Sequence, residues 1–238
     1  MTKAKVRQVI GEAVARQSAV KRMGRIMVVD DHPVVRHGLI EIINRSTDME
    51  VIGQAGRASE AAQLIEQLRP DLVVIDISLE DGSGIELIKQ IKSRHPEVRM
   101  LVNSMHDEKL YAERALRAGA MGYINKEQSM EQIVDAIRQV LKGRVYLSNA
   151  MSDRVLHRVI SGGVEEEAER SPVQALSDRE LEVFELMGKG LTTRQVAAKL
   201  HLSPKTVETH REHIKTKLKI VNNNQLLRHA VQWVLEGA

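Results

Sequence analysis

Three apolar runs of this 238-residue chain end in residues able to do chemistry: Arg25-Ile-Met-Val-Val-Asp30-Asp31, Asp71-Leu-Val-Val-Ile-Asp76 and Arg99-Met-Leu-Val-Asn-Ser104. A fourth, Gly122-Tyr-Ile-Asn-Lys126, ends in a lysine. Short β-branched runs of this kind are what strands of a parallel sheet buried on both faces look like. Such sheets bind ligands at the carboxyl ends of their strands, so three carboxylates, a hydroxyl and an ammonium are expected on one edge. Gathered carboxylates repel one another unless a hard divalent cation sits among them, and one carboxylate is then left to act as a nucleophile.

Those runs need a scaffold, and the rest of the pattern supplies it. Strands are expected at 25–30, 51–55, 71–76, 99–104 and 121–125, alternating with helices near 34–46, 58–68, 84–95, 108–118 and 129–142. Five βα units predict an α/β fold with a five-stranded doubly wound parallel sheet in the order 2-1-3-4-5. The switch point falls between the first and third strands, where Asp31 and Asp76 end. Gly119 and Gly122 bracket the turn into the last strand, and Ser129 is placed to cap the last helix. The segment Ser78-Leu-Glu-Asp-Gly-Ser-Gly84 reads as a loop that turns on its glycines.

Composition narrows the function classes. The length suits two ordinary domains, and no apolar stretch approaches the roughly 18 residues of a membrane span. The absence of cysteine excludes disulfides, thiolate metal sites and thiol catalysis, and it suits a reducing cytoplasm. Only Tyr111, Tyr123, Tyr146, Phe184 and Trp233 are aromatic, too few for a base-stacking platform or an aromatic cofactor pocket. The net charge of +3 hides an asymmetry: residues 26–150 carry 15 basic against 19 acidic side chains, residues 171–238 carry 10 against 7. An acidic body with a basic tail domain predicts that the far end meets a polyanion.

Residues 161–175 mix Gly, Pro and a glutamate run without a periodic apolar face, which is linker composition, and 148–160 can form one more helix leading into it. Residues 1–24 form a basic extension read as a flexible tail. The expected organisation is therefore an extension at 1–24, an α/β domain at 25–147, a partly helical linker at 148–175 and a smaller all-α domain at 176–238.

The tail domain reads as four helices. Ser177-Asp-Arg-Glu180 is a capping box followed by Leu181, Val183, Phe184 and Leu186, and Gly188 or Gly190 ends that helix. Thr192-Thr-Arg-Gln195 opens a second helix, and after the turn Leu200-His-Leu202, Ser203 caps a third with Pro204 at its first position. Val207, His210, Ile214 and Leu218 share one face of that helix; Lys205, Glu208, Thr209, Arg211, Glu212 and Lys215 are expected on the other. A short helix, a tight turn and a second helix starting Ser-Pro make a helix-turn-helix, whose second helix enters the major groove.

The carboxylate edge resembles the flavodoxin-like receiver domain of two-component response regulators. That resemblance implies that Asp30 and Asp31 hold Mg²⁺ together with Asp76 and the backbone carbonyl of Ser78. It further implies that Asp76 accepts a phosphoryl group, and that Ser104, Lys126 and the switch aromatic Tyr123 respond to it. It also implies that Ser78 and His106, each two residues beyond a site residue, tune phosphate lifetime. Many receivers carry a proline four residues after the acceptor, where this chain has Glu80. The stretch Leu-Ser-Pro-Lys-Thr-Val-Glu-Thr-His-Arg resembles the four-helix DNA-binding domain of LuxR-type regulators. With a receiver, that places the chain beside the NarL/FixJ family.

The family resemblance further implies that Lys205, Arg211 and Lys217 touch DNA phosphates while Glu208 and Thr209 face base edges. Phosphate contacts fix register, and base-facing groups choose sequence. The expected function is a transcription factor controlled by a sensor histidine kinase, cytoplasmic, with promoter DNA as partner and a homodimer as its phosphorylated or DNA-bound form. Two rivals stand beside it. An aspartate-nucleophile hydrolase would share Asp76 and Mg²⁺ but usually has a second acid where Ser78 stands, and a constitutive DNA binder would use the α/β domain only for dimerisation.

Overall fold

The fold is that of a computed structural model, which describes residues 23–160 and 172–235. The basic extension upstream of Met23, the segment 161–171 and the last three residues lie outside the described residues. The strands are β1 (Gly24–Val29), β2 (Met49–Ala55), β3 (Leu72–Ile75), β4 (Ser78–Leu79), β5 (Gly82–Ser83), β6 (Arg99–Ser104) and β7 (Gly122–Asn125). Side chains alternate along a strand, and the apolar residues divide accordingly. Met27, Val29, Val73, Ile75, Met100 and Val102 fill one layer, and Ile26, Val28, Leu72, Val74 and Leu101 the other.

The sheet is parallel, in the order β2-β1-β3-β6-β7. Counting its long strands alone, this is the expected 2-1-3-4-5. Helices α1 (Pro33–Asn44), α2 (Ala58–Leu68), α3 (Gly84–Arg94), α4 (Glu108–Ala118) and α5 (Met130–Leu141) cover both faces. Ser129 and Gln132 form the capping box of α5, while Asp107 accepts from the Lys109 amide to cap α4. Helix α6 (Asn149–Ile160) follows, packing on α4 and burying Met151.

The segment after Asp76 corrects the sequence reading. It is a tight antiparallel hairpin, β4 against β5, rather than an irregular loop. Leu79 anchors it in the core, and Ser83 then caps α3 by accepting from the Ile85 amide at 3.3 Å. The chain passes so close to β3 here that a Cβ on Gly84 would lie 2.0 Å from the Asp76 carbonyl oxygen, so only glycine fits.

After a 3₁₀ turn at Pro172–Ala175 come α7 (Asp178–Gly188), α8 (Thr193–Lys199), α9 (Pro204–Leu218) and α10 (Asn223–Leu235). Ser177 with Glu180 and Thr192 with Gln195 form the two predicted capping boxes, and Ser203 caps α9 with Pro204 in its first turn. Phe184 and Trp233 meet at 5.5 Å between ring centres. A Cβ on Gly188 would lie 2.3 Å from the Ala230 carbonyl oxygen, so glycine lets α10 approach α7.

Helix α7 is covered all round: every residue from Glu180 to Met187 is buried, three glutamates included. Leu181, Val183, Phe184 and Leu186 lie in the core, Glu180 is covered by Lys217 of its own domain, and Glu182 and Glu185 turn toward the α/β domain. One apolar core accordingly runs from Tyr111 and Ala115 on α4 through Val173 and Leu176 to Phe184.

Candidate functional site

Register brings the acidic groups together. Val29 pairs with Ile75, so Asp30 and Asp76, the next residues on each strand, stand side by side, 1% and 3% exposed. On the neighbouring pair Ser104 sits opposite Asn125, and the Lys126 amide donates to the Ser104 carbonyl at 2.9 Å. That turn aims the lysine back across the edge. Its Nζ lies 2.7 Å from Asp30 Oδ2 and 2.6 Å from Asp76 Oδ2.

Burial raises the Asp76 carboxyl above its ordinary pKa, against the pull of Lys126, and the neighbouring Asp30 adds to the rise. Burial alone would lower the Lys126 ammonium, yet the charges of Asp76 and Asp30 outweigh it and the net shift is upward. Asp31 is more exposed and lies 2.6 Å from the His32 ring.

The donor set fits a hard cation. One ligand atom from each of Asp30, Asp31, His32 and Asp76 falls within 4.8 Å of the others, and Asp76 Oδ1 is buried with no hydrogen-bond partner. Ser78 lines the same cavity, and its hydroxyl is engaged with His106 Nε2 at 2.9 Å. Ser104 is fully buried at the cavity wall. Tyr123 is buried as well, its hydroxyl donating to the His106 carbonyl at 2.7 Å, and burial raises its pKa.

In the helical domain, α8 and α9 are joined by a tight turn in which His201 takes a left-handed backbone (φ 52°) and the Leu202 amide donates to Ala197 O at 2.8 Å. Lys205 and Thr209 are exposed on α9. The other three residues read as DNA contacts have partners within the domain, and one of them, Arg211, leaves the expected outer face. Arg211 is turned inward, 17% exposed, donating to Thr193 Oγ1 at 2.7 Å and to Glu208 Oε1 at 3.0 Å. Glu208 is held in that same cluster. Lys217 pairs with Glu180 at 2.6 Å. Helical periodicity placed Arg211 and Glu208 on an outer face and the family resemblance gave Lys217 to a phosphate, but α7 and α8 pack beside α9 and supply partners. His210 is half-buried, and burial lowers its pKa; among the described residues only the Asp30 cluster gathers metal-ligand types.

Residues 26–138 match the response regulator receiver domain, and residues 174–230 match the bacterial regulatory proteins of the luxR family. The oxygen regulatory protein NreC of Staphylococcus aureus (strain MRSA252) is 37% identical over 210 residues, covering 87% of this chain and 97% of its own. This chain belongs to the NarL/FixJ family of response regulators. A LuxR-family response regulator from Aurantimonas sp. SI85-9A1 matches with TM-score 0.54 at 35% identity, over 58% of this chain and 99% of that one. RcsB of Salmonella enterica serovar Typhimurium, solved on a promoter with phosphomimetic BeF3-, shares the fold with TM-score 0.58 at 24% identity, over 87% of this chain and 98% of its own.

In this response regulator the helical domain is docked over the receiver's acidic edge. A cavity of about 290 Å³ is lined from the receiver by Asp31, Asp76, Ser104 and Lys126, and from the helical domain by Arg179, Glu182, Lys189 and Lys199. Glu185 Oε2 takes a hydrogen bond from the Tyr111 hydroxyl at 3.2 Å and lies 2.9 Å from His106 Nδ1. Burial would raise the Glu185 carboxyl, but His106 and Lys189 beside it hold it down at about 2. Glu182 has the opposite fate: burial raises its pKa despite Arg179. Arg114 donates to Leu176 O, Gln174 O and Asp178, and Lys89 reaches Asp178 at 3.2 Å. Sequence reasoning had singled out Ser78 and His106 but missed Arg114, Glu182 and Glu185. Charged residues on an amphipathic helix read as solvated, and nothing local marks a partner in another domain.

Proposed function

We propose that Asp76 accepts a phosphoryl group from a sensor histidine kinase and that the modified receiver then releases the helical domain to bind promoter DNA. The observation that carries this reading is the Asp30–Lys126–Asp76 cluster, with a free buried Asp76 oxygen, lying directly beneath the docked domain. A docked domain whose charged groups line the acceptor's own cavity favours release over a purely dimerisation-based switch. The reading places the receiver at 25–147, the linker at 148–175, the DNA-binding domain at 176–238 and the protein in the cytoplasm.

Asp30, Asp31, Asp76 and the Ser78 carbonyl would hold Mg²⁺, which supplies charge neutralisation for the incoming phosphoryl oxygens. The chain's own residues do the rest. Lys126, shared between two carboxylates, is placed to transfer its hydrogen bonds to phosphoryl oxygens, and Ser104 offers them a hydroxyl. A dianion arriving in this cavity competes for Arg179 and Lys189, the cations that neutralise buried Glu182 and Glu185, and so raises the cost of keeping those carboxylates docked. Tyr123, tied to the His106 carbonyl, links the response at Ser104 to the loop that touches Glu185.

On DNA, Lys205 would hold a phosphate and Thr209 face a base, with Arg211 and Lys217 joining the phosphates once their present partners let go, and Glu208 freed to face a base. One such domain buries modest surface, so two copies on two half-sites would supply affinity. The test is Asp76→Ala: the unmodified chain should take up label from a phosphodonor with Mg²⁺ and gain promoter affinity, and the variant should do neither. Equal promoter affinity of both proteins under those conditions would defeat the switch, and multiple-turnover hydrolysis of phosphomonoesters would favour the hydrolase.

A further inference from the structure

His106 is fixed at several points. Its Nε2 meets Ser78 Oγ at 2.9 Å, its ring packs on Tyr111 with centroids 4.5 Å apart, and its carbonyl accepts from Tyr123. Each of these partners is in the receiver. The His106 amide also donates to Ser104 Oγ at 3.4 Å, and across the boundary Glu185, on the first long helix of the other domain, lies 2.9 Å from Nδ1. Glu185 is itself held by Tyr111 and Lys189 and is 11% exposed on its side chain, so it has little freedom to follow a moving ring.

The pair Ser78–His106 spans the loop after β3 and the loop after β6, and both residues line the cavity that contains Asp76. The bridge is therefore part of the wall around the unpartnered Asp76 oxygen. An imidazole with a partner on each nitrogen cannot rotate without breaking a hydrogen bond, whereas a ring held on one side can.

We propose that Glu185, a residue of the DNA-binding domain, is a positioning residue for the receiver's phosphoryl chemistry: by fixing His106 in the wall of the cavity that holds Asp76 it slows the loading of Asp76. The inference rests on the reading of Asp76 as acceptor. It makes the DNA-binding domain a regulator of phosphorylation as well as its target.

The experiment uses the full chain, acetyl phosphate and Mg²⁺, and follows the rate at which label accumulates on Asp76. In the loading step a P–O bond to Asp76 forms, the bond to the donor's acetyl oxygen breaks, and acetate leaves. Glu185→Leu keeps apolar bulk at the buried position but removes the acceptor, and it should load about two- to tenfold faster, the factor that one hydrogen bond of ordinary net strength supplies. Glu185→Gln retains an acceptor oxygen and should load close to the unmodified rate. In a His106→Ala background Glu185→Leu should add nothing. Arg114→Ala, which loosens docking away from the imidazole, serves as the control for docking alone.

Unchanged loading in Glu185→Leu would overturn the proposal, as would equal acceleration by Leu and Gln. An effect that persists without the His106 ring would also overturn it, since Glu185 would then act only by closing the two domains. If the unmodified chain and Asp76→Ala both fail to take up label, the acceptor reading itself falls, a result none of these variant comparisons can produce.

Discussion

Two buried charge clusters in this molecule are built on opposite plans. At the receiver edge, Lys126 neutralises Asp30 and Asp76 within one domain, and all three side chains come from strand ends locked in register. At the domain boundary, Glu185 meets His106, and Asp178 pairs with Arg114 and Lys89, across the gap, while Lys189, at the end of Glu185's own helix, also pairs with Glu185. The first cluster lies wholly within the receiver, whereas the second loses its cross-boundary partners when the domains part. The difference teaches where a switch can be placed. Chemistry needs charges whose geometry never varies, and release needs charges whose partners can be taken away at an acceptable cost in solvation.

The sharpest way to break this comparison is to remove the shared cation. Lys126→Met leaves two carboxylates buried without a counter-charge and should cost the receiver about 3–5 kcal/mol, read from urea unfolding. Adding Asp76→Asn should recover part of that loss. Arg114→Ala, by contrast, removes hydrogen bonds across the boundary and should cost docking about 1–3 kcal/mol while leaving receiver unfolding unchanged. Its signature is a larger radius of gyration by solution scattering and raised promoter affinity without phosphodonor. If both substitutions lowered receiver stability equally, the distinction between the clusters would be wrong.

Smaller effects sharpen the same contrast on the DNA side. Lys205 is exposed in the docked form, so Lys205→Ala should weaken binding to every sequence and reduce the salt slope by about 1. Thr209→Ala should instead narrow the gap between preferred and mismatched sites by about 1 kcal/mol. Titration against a panel of duplexes at several salt concentrations separates the two.

The mildest test is acid. In the docked form the Glu185 carboxyl is held at about 2 against an ordinary 4.5, by His106 across the boundary and by Lys189 on its own helix, so the part due to His106 makes the charged form favour the closed arrangement. That contribution is complete above about pH 4.5 and is lost as pH falls towards 2. His106, Tyr111, Lys189 and Glu182 surround the group, and Glu185→Gln should remove this acid-dependent opening, measured by scattering between about pH 5 and pH 3.

Much of the architecture was legible in short segments. Alternating apolar runs ending in Asp30, Asp76, Ser104 and Lys126 announced the strand order and the acidic edge, because in a parallel sheet the ends of such runs share one side. Ser177, Thr192 and Ser203 announced the helix starts, because a cap is a contact within three residues of itself. The hairpin after Asp76 was missed: its two-residue strands are too short for any periodic signal, and Leu79 and the tight approach of Gly84 hold it in place. The inward turn of Arg211 was missed too, since Thr193 lies on a different helix.

By itself, then, the sequence determined the two domain types, the carboxylate edge and the helix-turn-helix, all carried by interactions of short range along the chain or by strict strand periodicity. Only tertiary structure decided that α7 is buried on both sides and that Glu185 meets His106. Both depend on charged residues far apart in sequence, and a glutamate on a helix looks the same to local physics whether it faces water or an imidazole in another domain.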